Sequence, residues 1–114
     1  MANQPFARPV EREVAAAFDE LGIPWEYEPH TYVLAKNPDG SVRRAFTPGF
    51  YLPEQDLYVE YTTMRQRLTT RKHRKIRKLR RRGRLVAVLH RRDFERLRAT
   101  SGPEIELAGR ARRQ

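Results

Sequence analysis

The sequence predicts an α/β (α+β) domain with a mixed central sheet. Three observations predict it. Apolar residues at helical spacing open the chain, and alternating apolar runs fill its middle. A final continuous apolar run, Leu85-Val86-Ala87-Val88-Leu89, follows a long basic link. Such a link is long enough for a right-handed helical crossover to a parallel strand. The 114 residues suit one domain. The organisation expected is a flexible leader over 1–7, a domain over 8–99 and a mobile basic tail over 100–114.

A helix is expected over 10–21, with Pro9 at its start. Val10, Val14, Ala17, Phe18 and Leu21 share a stripe, and Gly22 ends it as a left-handed cap. Glu11 lies along this apolar face. It serves either the helix dipole or an inward-facing metal or phosphate site. Residues 25–28 alternate like a half-buried strand, which Pro29 interrupts before it resumes over 30–36. Asn37-Pro38-Asp39-Gly40 is a turn signal. The next strand spans 42–52, with Val42, Arg44, Phe46, Pro48, Phe50 and Leu52 on one face. A turn at 53–55 leads to a strand over 56–62, with Leu57, Val59 and Tyr61 opposite Tyr58, Glu60 and Thr62. These strands form a three-stranded antiparallel meander. A basic helix is expected over 64–82, ended by Gly83, with Leu68, Ile76 and Leu79 as a thin apolar stripe. Leu85 to Leu89 is the buried parallel strand, and a short C-terminal helix spans 93–98.

Charge narrows the partners. Residues 1–63 carry 5 Lys/Arg against 10 Asp/Glu, whereas residues 64–114 carry 19 against 4. From 71 to 84, ten of fourteen positions are Lys or Arg. This clustering favours a polyanion, most simply nucleic acid, with DNA preferred to RNA. The candidate phosphate-binding residues are Arg71, Lys72, Arg74, Lys75, Arg77, Lys78, Arg80, Arg81, Arg82, Arg84, Arg91 and Arg92. Trp25, Tyr27, Phe50 and Tyr58 read as sheet and core residues ahead of base-stacking platforms. The absence of cysteine excludes disulfides and thiolate metal sites. Three histidines far apart in sequence do not suggest a zinc site. No apolar run is long enough to span a membrane and no signal peptide opens the chain, so a cytoplasmic location is expected.

Several words of the sequence fall in a telling order. Asp19-Glu20-Leu21-Gly22-Ile23-Pro24-Trp25-Glu26-Tyr27-Glu28-Pro29 precedes Phe46-Thr47-Pro48-Gly49-Phe50-Tyr51-Leu52-Pro53. Asp56-Leu57-Tyr58-Val59-Glu60 and the basic helix follow, and Arg91-Arg92-Asp93-Phe94 comes after the last strand. The chain over about residues 8–98 resembles the PD-(D/E)xK endonuclease-like superfamily, in the form of small actinobacterial proteins. The resemblance implies a restriction-endonuclease-like core. It also implies a site in which strand carboxylates hold Mg²⁺ and a lysine stabilises developing charge. On that resemblance Glu60 is the strand carboxylate and Glu11 the helix carboxylate, and these two would be the metal ligands. Pro48 matches the motif proline. Gly49 stands where the metal-binding Asp belongs and Thr62 where the lysine belongs, so the active site is degenerate. Lys72 or Gln66, on the crossover helix, can take the lysine's place.

Three functions are compatible with this pattern. The first is a nucleic-acid-binding protein of nuclease-like fold, inactive or weakly active, that grips the phosphate backbone through its basic helix. The second is an active Mg²⁺-dependent endonuclease built on Glu60, Glu11 and Lys72. The third is a regulatory or interaction module for an acidic partner or ribosomal RNA.

Overall fold

A computed structural model describes residues 6–62, 70–100 and 102–111. Residues 1–5 of the expected leader, residues 63–69 with Gln66 and Leu68 at the start of the basic helix, and Ser101 and residues 112–114 of the expected tail lie outside the described residues.

Helix α1 spans Val10–Glu20 with Pro9 as its N-cap, and it buries Glu11, Val14, Ala15, Ala17 and Phe18. Gly22 follows at φ 69°, a left-handed conformation that costs glycine nothing. Six strands come next or later: β1 (Glu26–Tyr27), β2 (Tyr32–Lys36), β3 (Val42–Phe46), β4 (Phe50–Leu52), β5 (Leu57–Tyr61) and β6 (Leu85–Leu89). Helix α2 (Thr70–Arg81) precedes β6, and helices α3 (Arg91–Ala99) and α4 (Pro103–Ala111) follow it.

The strands form two sheets. One has the order β1-β4-β5-β6 and the other is the β2-β3 hairpin. The parallel partner expected for the last strand is present, with Glu60 opposite Val88. The meander differs from expectation because both arms of its first hairpin bend. The arm over 25–36 divides into β1 and β2, and the arm over 42–52 divides into β3 and β4. Pro29 and Pro48 have no N–H to give a ladder, so pairing fails at the same level in both arms. Glu28 there adopts φ 47°, and its N–H donates to the Gly49 carbonyl at 2.9 Å. The hydroxyls of Thr31 and Thr47 meet at 2.8 Å beside it. Phe46 and Phe50, expected on one face, consequently serve different layers.

The four-stranded sheet separates two cores. On one side Phe18, Phe50, Leu52, Val59, Leu89, Phe94, Leu97 and Leu107 join α1, α3 and α4 to the sheet. On the other, Leu34, Phe46, Tyr58, Ile76, Leu79 and Val86 join α2 and the β2-β3 hairpin. β5 is buried along its whole length, so Glu60 is a carboxylate inside the protein.

The mobile tail expected over 100–114 is corrected by α4. Pro103 suits a first helical turn, Glu104 and Glu106 complement the dipole, and Leu107 and Ala111 fall one turn apart with no exposed surface. A stripe of two residues is too short to stand out in the sequence. The end of the expected leader is also docked: Phe6 packs edge-on to Tyr27 at 4.8 Å, and the Ala7 N–H donates to the Tyr27 hydroxyl. Among the described residues no helix is long and apolar enough to cross a membrane.

Docking of α4 sets an expected outcome. Leu107→Ala should cost about 2–5 kcal/mol of unfolding free energy by urea titration, the range for a buried leucine. A cost near zero would mean that this helix does not belong to the core.

Candidate functional site

Glu60 and Glu11 come together at the bend. Glu60 reaches it from β5, and Glu11 from the first turn of α1. A Cβ placed on Gly49 would lie 3.1 Å from Glu60 Oε2 and 3.4 Å from Glu11 Oε2. Gly49 therefore sits against both carboxylates, and a longer side chain there would point between them. The glycine also lets its own backbone approach: its N–H donates to Glu60 Oε2 in a short hydrogen bond. The other oxygen, Oε1, is 2.7 Å from the Lys72 ammonium. The crossover helix thus delivers a lysine to the strand carboxylate. Thr62, the position expected for that lysine, is buried, and its N–H donates to the Leu89 carbonyl.

Glu11 is engaged mainly through one oxygen. Its Oε1 accepts from the Tyr27 hydroxyl at 2.8 Å and from the Arg8 N–H at 3.1 Å, and the Arg8 guanidinium lies 3.7 Å from Oε2. Burial, with the Glu11 hydrogen bond adding to it, pushes the Tyr27 phenol up to about 12. Glu28 completes the negative cluster. Desolvation, then the charges of Glu11 and Glu60, raise its carboxyl above the usual range.

The donors present do not suit Mg²⁺. The ion prefers several oxygen ligands in near-octahedral array. Gly49 offers no carboxylate, both Glu60 oxygens already face donors, and Oε1 of Glu11 is taken by Tyr27 and Arg8. Among the described residues no group of three or more His, Asp or Glu is placed to hold a metal.

The chain matches no family model, no curated protein and no solved structure. The endonuclease-like resemblance therefore rests on the chain's own residues.

The twelve expected phosphate-binding residues divide into two sets. Six are engaged within the fold. Lys72 holds Glu60, Lys75 donates to the Ala45 carbonyl at 2.9 Å, and Arg82 to the Val33 carbonyl at 3.1 Å. Arg80 donates to the Val86 carbonyl, Arg84 pairs with Asp56 and lies over the Tyr58 ring, and Arg91 pairs with Glu13. The remaining six, Arg71, Arg74, Arg77, Lys78, Arg81 and Arg92, form no ion pair among the described residues.

Four participants escaped the sequence reading: Arg8, Tyr27 as a hydrogen-bond donor, Glu28, and Arg110. Arg110 ion-pairs with the buried Asp93 at 3.1 Å. Only Pro29, beside Glu28, signalled the irregular backbone that sets the exposed Glu28 beside the cluster. His30 donates to or accepts from the Tyr58 hydroxyl at 2.9 Å, and Tyr32 makes a short hydrogen bond to the same hydroxyl. These are structural roles, as is that of His90, the N-cap of α3 in a reciprocal capping arrangement with Asp93.

Two outcomes follow from the carboxylate cluster. The raised Glu28 pKa means that the folded state holds this proton more tightly than the unfolded state. Its favourable contribution is full below the unfolded pKa and is lost as pH rises through the folded one. Glu28→Gln should therefore exceed the wild type in stability at pH 7 and equal it near pH 3, by urea titration at both values. Gly49→Asp adds a third carboxylate to Glu11 and Glu60. In chelator it should melt several degrees below the wild type through like-charge repulsion, since ~1 kcal/mol moves the midpoint by about 4–8 °C in a domain of this size. Millimolar Mn²⁺ should restore the variant and leave the wild type unmoved; equal responses would mean that residue 49 does not face the cluster.

Proposed function

We propose that this chain is a nucleic-acid-binding protein on a PD-(D/E)xK endonuclease-like scaffold, gripping phosphodiester backbone through α2 and α3 without metal chemistry at the Glu60 cluster. The observation that carries this reading is the division among the cations. Those that stabilise the fold are pinned to backbone carbonyls or carboxylates. The rest stand on the outer faces of α2 and the first turn of α3 with no ion-paired carboxylate among the described residues. Mutual repulsion along α2 destabilises it, and a bound polyanion relieves that repulsion. The Lys72–Glu60 contact and the Gly49 N–H support the non-catalytic side of the reading. They satisfy the carboxylate that a nuclease of this class would use for metal.

The test is binding to a labelled DNA duplex, with a matched RNA duplex beside it, at two salt concentrations, together with plasmid cleavage. Affinity should fall by about tenfold or more between 50 and 200 mM salt, as phosphate neutralisation requires. Supercoiled plasmid should stay intact in Mg²⁺ or Mn²⁺. Salt-independent binding would overturn the backbone grip. Nicking by the wild type that Glu60→Ala abolishes would establish the active endonuclease instead. Failure to bind either nucleic acid, with capture of an acidic protein, would establish the interaction module.

A further inference from the structure

The basic helix has two sides, and they are not equivalent. His73, Arg77 and Arg80 follow one another at helical spacing and face α3. Arg71, Arg74, Lys75 and Lys78 face the β2-β3 hairpin. On the α3 side lies a groove of about 490 Å³, walled opposite by His90, Arg92 and Arg96, with Val88 and Arg110 also on its lining. On the hairpin side the cavity is about 140 Å³, and one of its cations, Lys75, is spent on the Ala45 carbonyl.

The groove holds one carboxylate, Asp93, which is already neutralised. Asp93 Oδ1 faces Arg110 at 3.1 Å, and Oδ2 accepts from the His90 N–H at 2.7 Å. Arg110 is spent on Asp93 and on Glu106, so Arg77, Arg80, Arg92 and Arg96 line the groove without a carboxylate partner among the described residues. Arg80 is the half-buried one of the four. Burial lowers its pKa, and its guanidinium is held by the Val86 carbonyl, at 2.5 Å from one terminal nitrogen, with no carboxylate among the described residues. Held there, it adds to the positive potential of the groove. Arg77 and Arg96 stand exposed on facing helices at the groove's mouth, where guanidinium forks suit phosphate oxygens.

We infer that the α2-α3 groove is the seat of the nucleic-acid phosphodiester backbone, with Arg77, Arg92 and Arg96 contacting phosphates, and that the hairpin side of α2 is secondary. This rests on the proposed nucleic-acid binding and adds the face, and with Arg96 a contact that the charge run over 71–84 does not contain. Strand phosphates are the shared chemistry of DNA and RNA duplexes, so both serve as probes.

The experiment compares two double variants by fluorescence anisotropy, each across a salt series. Arg77→Ala with Arg96→Ala empties the groove mouth; Arg71→Ala with Arg74→Ala empties the hairpin side. All four residues are exposed and form no ion pair among the described residues, so both variants should keep the wild-type melting temperature. The groove variant should bind the preferred duplex about tenfold or more weakly, and its plot of log affinity against log salt should be shallower by about 1.8, the loss of two phosphate contacts. The hairpin-side variant should stay within about threefold of the wild type. Equal losses, or a larger loss on the hairpin side, would overturn the inference while leaving nucleic-acid binding intact. A wild type that binds neither duplex would instead overturn the proposed function and this inference together.

Discussion

The Glu60 carboxylate, only 4% exposed, is the constraint through which the layers meet. A buried charge of this kind is strongly unfavourable unless it is paired and hydrogen-bonded. Its partners come from two other parts of the chain: the Gly49 N–H from the bend before β4, and the Lys72 ammonium from α2. Both are non-local. The bend must form for Gly49 to approach, and α2 must lie across the sheet for Lys72 to reach. The bend in turn requires Glu28 in a left-handed conformation, a cost of about 1–3 kcal/mol for a residue that is not glycine. That strain is located beside the cluster of Glu11, Glu28 and Glu60.

The same bend explains why a small chain has cores on both sides of a short sheet. A straight hairpin over 25–52 would add two long strands to one sheet and leave α2 packed only on β5 and β6. Bending turns the β2-β3 end over α2, so that Leu34 and Phe46 close the core around Ile76 and Leu79. The cations Lys75 and Arg82 then find backbone carbonyls on the hairpin, Ala45 and Val33. Their stems cover apolar surface while their charged ends stay near water. A helix whose isolated form would be destabilised by its own charge is held in place by the fold it covers.

Much of this was written in local pattern. The apolar run over 85–89 is a strand with the same ends, since five consecutive apolar residues suit a strand covered on both faces. The burial of Glu11 was readable from its spacing to Val14 and Phe18 along one helical face. What failed was whatever depended on two distant segments at once. The bend needs Pro29 and Pro48 to fall at the same level of a hairpin, and neither proline reveals that alone. Helix α4 was missed because its buried face consists of Leu107 and Ala111, too few residues to mark a helical stripe. The charge run over 71–84 was visible as a total, but its division into engaged and unengaged cations depends on which carbonyls lie nearby.

That division changes how a basic segment is read. Ten cations in fourteen positions look like one uniform surface. In the fold, helical periodicity sorts them into three directions: inward to Glu60, outward to the hairpin, and outward to α3. The first direction is structural, and the second is partly so. Only toward α3 does a second helix present further arginines, while the local carboxylate, Asp93, is already bound to Arg110. Charge density along the sequence therefore locates the helix, whereas α3 and α4, which lie outside the charge run, decide which of its sides has charge to spare.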